Sequence, residues 1–246
     1  MFLPDGAPRC LEDIESYLRG WVAHEFFGNP FFQSLARGRY THAQLRHFAI
    51  QYGYYNRHFP RVLGAAIAAM APLSSWWIPL ADNLWDEAGR GLPGRSHEEL
   101  YKTFLLSVDP SLALNGQGLP SEPISPVVGQ AIDSFINFFR TATPLQAMAA
   151  VGLGSELFAP DVMGRIATDL DRPSYNHMHR LNLTFWTVHA ESDEPRHYQL
   201  CRGILEQFSE PADLSMMREV GQNIADSECA MYTGLHEEMM LIDDVT

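Results

Sequence analysis

The stretch Phe185-Trp186-Thr187-Val188-His189-Ala190-Glu191-Ser192-Asp193-Glu194-Pro195-Arg196-His197 decides how the chain is read. No alternating strand pattern occurs here or elsewhere, and helical periodicity dominates. On a helix with about 3.6 residues per turn, His189 and Asp193 stand one above the other. His197 follows a turn further on, rotated by roughly 80° from His189 and still on one face. A face bearing His, Asp and His beside Phe185 and Trp186 is costly to bury unless those groups pair or bind a metal. Imidazole and carboxylate together suit iron, manganese or zinc. Taken alone, the trio reads equally well as a solvated face that carries histidines.

Further acids lie upstream. Glu156 is the only acid in the apolar, small-residue run Ala149 to Phe158. An acid there is hard to explain as a surface group. Gly152 and Gly154 each cost about 1 kcal/mol relative to alanine in a helix interior, so they are expected to leave room for a neighbouring helix or a ligand. Glu87 ends the aromatic-rich segment Asn83-Leu84-Trp85-Asp86-Glu87-Ala88-Gly89, and His97 follows ten residues later across a Gly/Pro loop. The set Glu87, His97, Glu156, His189, Asp193 and His197 is what a carboxylate-bridged metal pair in a helical bundle demands.

The rest of the chain supplies the bundle. Thr41-His42-Ala43-Gln44 and Ser96-His97-Glu98-Glu99 have the form of capping boxes. The first opens a run to about Met70, which Pro60 is expected to kink or split. The second opens a short helix through Leu106. A helix from about Ser75 ends at Gly89-Arg90-Gly91, and 109–126 reads as the longest loop. Another helix runs from Val127 to about Arg140. Thr143-Pro144-Leu145-Gln146 combines a threonine cap, a proline at the first helical position and a glutamine two residues after it. That helix is expected to reach about Phe158. Helices over 181–208 and 214–240 complete an all-α bundle, read as one domain over 1–246.

Composition narrows the partners. Seventeen lysines and arginines face 30 aspartates and glutamates, a formal charge of −13. Such a surface repels phosphates, which argues against nucleic acid or an anionic membrane. No window approaches the roughly 18 apolar residues of a spanning helix, and the start lacks a secretory signal pattern. Cys10, Cys201 and Cys229 fit neither a disulfide framework nor a zinc site. A reducing, cytoplasmic setting is expected.

These residues bring the chain close to a known family: it resembles the haem-oxygenase-like di-iron oxidases, relatives of the thiaminase-like TenA and cofactorless PqqC proteins. Gln51 to Leu63 looks like their early core helix. Asn83 to Gly91 with Ser96 to Leu100 looks like their first metal-binding stretch. Glu156 falls where they place a bridging glutamate, and the His189 helix is similar to their His-x3-Asp-x2-His motif. Arg196 stands where that motif has its last histidine, and arginine cannot ligate iron. Pro195 gives a local cause for a kink or π-bulge that would return His197 to register.

The resemblance implies a haem-oxygenase-like fold and two Fe(II) ions held by Glu87, His97, Glu156, His189, Asp193 and His197, with dioxygen as co-substrate. Glu87, Glu156 and His189 are then the catalytic candidates. It implies oxidation of a small substrate, an amino acid or its derivative, by desaturation, N-oxygenation or oxidative C–C cleavage to an alkene or nitrile. An aliphatic-acid decarboxylase, a metal-free TenA- or PqqC-like hydrolase or oxidase, and a non-enzymatic binding protein are the alternatives. Arg57, Arg61, His58 and Arg196 are candidate carboxylate partners, and Tyr52, Tyr54, Tyr55 and Phe59 candidate pocket walls. Tyr55, His58 and Arg196 are the substrate-binding choices. An external electron donor and a homodimer are compatible with this reading.

Overall fold

Three helices begin where their capping boxes place them. At Thr41/Gln44, Ser96/Glu99 and Thr143/Gln146 the cap hydroxyl accepts from the third-residue N–H, and that residue's side chain accepts from the cap N–H. These reciprocal bonds satisfy donors that a helix start leaves orphaned. The computed structural model describes residues 6–70, 75–177 and 179–242, without the side chains of 192–194.

The helices are α1 Leu11–Trp21, α2 Pro30–Ala36, α3 His42–Ala69, α4 Trp77–Glu87, α5 His97–Val108 and α6 Pro126–Phe138. They continue with α7 Pro144–Val151, α8 Ala159–Leu170, α9 Thr184–Val188, α10 Glu194–Leu205 and α11 Pro211–Met240. The described residues contain no strand, and none of their helices is long and apolar enough to cross a membrane. Of the two expectations for Pro60, a kink or a split, the split does not occur, and α3 runs through it. Its cost of about 3 kcal/mol is offset by buried residues on both sides, Tyr52 and Asn56 before it and Val62, Leu63 and Ala66 after it.

The long helices α3 and α11 form the frame. Helix α3 packs on α4, α5, α6 and α7, and α11 packs on α1, α2, α6 and α7. Trp186 is fully buried among Phe48, Tyr52, Tyr101, Phe104 and Phe185. This aromatic cluster fixes α9 against α3 and α5.

Among the described residues, π-helical turns interrupt the regular winding at Val22–Phe26, Gly152–Glu156 and His189–Asp193. A π turn inserts one residue and re-aims the side chains around it. Two of them carry candidate ligands, Glu156 and His189. Gly152 and Gly154 make room for helices rather than for a ligand. A Cβ at Gly152 would lie 2.8 Å from Cys201 Cβ of α10, and one at Gly154 would lie 2.6 Å from Ile224 Cβ of α11.

Candidate metal centre

Glu87 is the last residue of α4 and His97 the first of α5. Between them Gly89, Gly91 and Gly94 adopt positive φ, and so does Arg90 at 53°. A Cβ at Gly89 would sit 2.4 Å from the Arg95 carbonyl carbon, so only glycine lets the loop close there. That closure brings His97 Nδ1 to 2.9 Å from Glu87 Oε1.

His189 opens the second ligand-bearing π turn. Its Nδ1 donates to the Phe185 carbonyl at 2.6 Å, which places the ring proton on Nδ1 and leaves Nε2 as the lone-pair atom. The His97 and His189 rings lie 4.0 Å apart between centroids. Ligand atoms of Glu87, His97 and His189 fall within 4.8 Å of one another, all three residues being buried. One carboxylate and two imidazoles gathered away from water are the donor set of a divalent transition metal, so these residues fit an iron ion.

Beside this triad lies a second cluster. Glu156 is wholly buried and its Oε1 accepts from Asn83 Nδ2 at 2.6 Å. Its Oε2 lies 3.6 Å from Nδ1 of His197, which is itself 1 % exposed. His197 Nε2 is 3.1 Å from Asp86 Oδ2. Arg90 Nε donates to Asp86 Oδ1 at 2.5 Å, and the Arg196 guanidinium bridges Asp86 and Asp82. Burial pushes the Asp86 carboxyl up, but the hydrogen bonds from Arg90 and His197 and the Arg196 charge outweigh it and hold it below the usual range.

His197 therefore faces inward while Arg196 turns to the flank. The helix distortion upstream of both is the π turn His189–Asp193, which ends before Pro195 rather than lying at it. The Asp193 side chain lies outside the described residues. Asp86 and Asn83 were missed in the sequence. Their signal was spacing: Asn83, Asp86 and Glu87 fall at i, i+3 and i+4, one face of α4.

A cavity of about 40 Å³ adjoins the triad, with Glu87 and His189 in its wall beside Tyr52, Tyr55, Met163 and Glu228. Tyr55 lines it. His58 and Arg196 do not. His58 Nδ1 is 2.6 Å from Arg61 Nη1, and Arg196 is engaged with Asp82 and Asp86. Arg57 is spent on Glu98 and the carbonyls of Gln117 and Gly118. Cys201 is buried, and burial followed by the Glu156 charge pushes its thiol well above the ordinary value.

The sequence pattern of the iron-containing redox enzyme family matches residues 46–227. No curated protein matches the chain. Among solved structures, a CadD-like protein of unknown function from Nostoc punctiforme has a TM-score of 0.74 at 15 % identity, covering 93 % of this chain and 97 % of that one. A domain of unknown function with a haem-oxygenase-like fold from Shewanella denitrificans has a TM-score of 0.62 at 15 % identity, covering 94 % and 92 %. A TenA homologue from Pseudomonas syringae has a TM-score of 0.67 at 11 % identity, covering 94 % and 92 %. Pattern and fold together establish that the chain belongs to the iron-containing redox enzyme family and has the haem-oxygenase-like fold.

Proposed function

We propose that this chain is a non-haem iron oxidase or oxygenase that holds up to two Fe(II) ions and uses dioxygen to oxidise a small organic substrate, an amino acid or a derivative of one. The observation that carries the reading is the buried grouping of Glu87, His97 and His189, of which Glu87 and His189 lie in the wall of a cavity. Iron bound there supplies redox equivalents and open coordination positions for dioxygen. Glu87, His97 and His189 would hold the first ion, and Glu156, Asp193 and His197 the second.

The protein's own contribution is positional. The Phe185 carbonyl fixes the His189 tautomer, and Asp86 holds His197 from behind. Metal-ligating histidines depend on such partners for orientation and basicity. A cavity of about 40 Å³ admits only a few molecules the size of water. It therefore suits dioxygen and the reacting end of a substrate while keeping bulk water out. A metal-free hydrolase would need an activated thiolate, and the buried, strongly raised thiol of Cys201 disfavours that alternative.

The test is dioxygen uptake by the ferrous-loaded protein when small amines, amino acids and aliphatic acids are added. Substrate-triggered uptake is expected, and it should vanish in Glu156→Ala and His189→Ala while helical circular dichroism stays unchanged. Undiminished turnover in both folded variants would make these residues structural and overturn the reading.

A further inference from the structure

Asn83 sits one turn before Glu87 on α4, on the face that also carries Asp86. It is 1 % exposed, and the two ends of its amide are in different situations. Nδ2 donates to Glu156 Oε1 at 2.6 Å. Oδ1 is buried and has no hydrogen-bond partner among the described residues. Reversing the amide does not help, because an ionised carboxylate only accepts and would then face a second acceptor. The nitrogen therefore stays on Glu156 and the carbonyl oxygen is turned away from it. A buried carbonyl without a donor is destabilising, and in a native fold it calls for an explanation.

The surroundings supply one. His197 Nε2 lies 3.1 Å from Asp86 Oδ2, so the neutral ring carries its proton there and presents Nδ1 as its lone-pair atom. That Nδ1 is 3.6 Å from Glu156 Oε2. A carboxylate, an imidazole lone pair and an amide oxygen are thus linked in one cluster, on residues no more than 1 % exposed. Oxygen and imidazole donors together suit a divalent transition metal.

We propose that Asn83 is a ligand of the second iron ion. Its Oδ1 binds the ion that Glu156 and His197 hold, while its Nδ2 steers the Glu156 carboxylate. The proposal rests on the reading of this chain as an iron enzyme and adds a neutral ligand to the second position. A neutral oxygen raises the coordination number without adding to the negative charge that Glu87, Asp86 and Glu156 already bring. Helix α4 then serves both ions, the first through Glu87 and the second through Asn83.

The experiment titrates ferrous iron anaerobically into the full-length, metal-free chain by calorimetry and follows its melting temperature with and without iron. Wild type should show two binding steps. Asn83→Ala should weaken the second step about 10- to 100-fold and leave the first unchanged. Asn83→Asp keeps the oxygen and loses the N–H donor. Its metal-free form should melt below wild type, because two carboxylates then face each other. It should nevertheless hold the second ion at least as tightly, so that iron raises its melting temperature at least as much as it does for wild type. Equal loss of the second step in both variants would reduce Asn83 to a residue that positions Glu156 and would overturn the proposal. An undisturbed second step in Asn83→Ala would also overturn it, and is the result expected if water answers Oδ1. Should Asn83→Ala fail to fold, a second step weakened tenfold or more in Asn83→Asp overturns it. A wild type that binds iron with no sensitivity to either substitution loses this inference and keeps the iron reading, whereas a wild type that binds none loses both.

Discussion

Asp86 is the hub of the cluster around Glu156 and His197. It accepts from Arg90 and Arg196 and contacts His197 Nε2, so it spends its charge on the residues behind the ligands. Arg196 neutralises that carboxylate from the flank, a role arginine can fill although it cannot ligate. Removing Asp86 should therefore loosen His197, and Asp86→Ala is expected to weaken iron binding about 10- to 100-fold. His197→Ala should lower occupancy at one position, whereas Arg196→Ala should leave the iron content per chain nearly intact. Iron titrations of the three variants check this, and an Arg196→Ala chain that loses as much iron as His197→Ala would sink the assignment. Little of this was visible in the sequence, because Asp86 sits beside the more conspicuous Glu87 and its partners come from α10.

Helix starts were legible where a side chain closes its own local hydrogen bonds, as at Thr41, Ser96 and Thr143. Elements whose stability comes from packing were not. Helices α1, α2 and α8 were not identified from the sequence, and α2 spans only seven residues. Of the π turns, only His189–Asp193 left a trace in the sequence, as an anomaly of register at Arg196 and His197. Close helix packing gives opposite expectations for two glycines. Gly154→Ala would drive a Cβ into Ile224 and is expected to destabilise by about 1–3 kcal/mol. Gly203→Ala, in α10 with nothing within 4 Å of its added Cβ, should stabilise by about 0.5–1 kcal/mol. Urea unfolding of the pair checks both signs, and equal effects would contradict the packing described.

The loop over 109–125 is tied to α3 by Arg46, whose guanidinium reaches Asp109 at 2.7 Å and Glu122 at 2.5 Å. Burial raises both carboxyls, but hydrogen bonds from Ser111 and Arg46 at Asp109, and from Arg46 at Glu122, hold them below the usual range. Their folded pKa values thus lie below the unfolded ones. The stabilisation is present above about pH 4 and fades as pH falls through the folded values. Arg46→Ala should cost about 1 kcal/mol at neutral pH after allowance for solvent screening, and less in acid. A cost that does not shrink between pH 7 and pH 3 would contradict this tie.

At the scale of the molecule, the candidate ligands come from the end of α4, the start of α5, the turns that follow α7 and α9, and α10. Residues so far apart in sequence cannot form the site in an unfolded chain, so metal binding is coupled to folding. The all-helical class was legible in the sequence, and so were the residue types of the candidate centre. The gathering of Glu87, His97 and His189 was not, because it depends on the glycine loop after Glu87 and on the π turn that His189 opens. The central claim is that these helices assemble an iron centre, and its most direct test is the iron content of the chain after anaerobic loading and desalting. Up to two ions per chain are expected for wild type, with loss of the firmly held ion in Glu87→Ala and His189→Ala. A wild-type chain that retains no more iron than those variants would contradict the account.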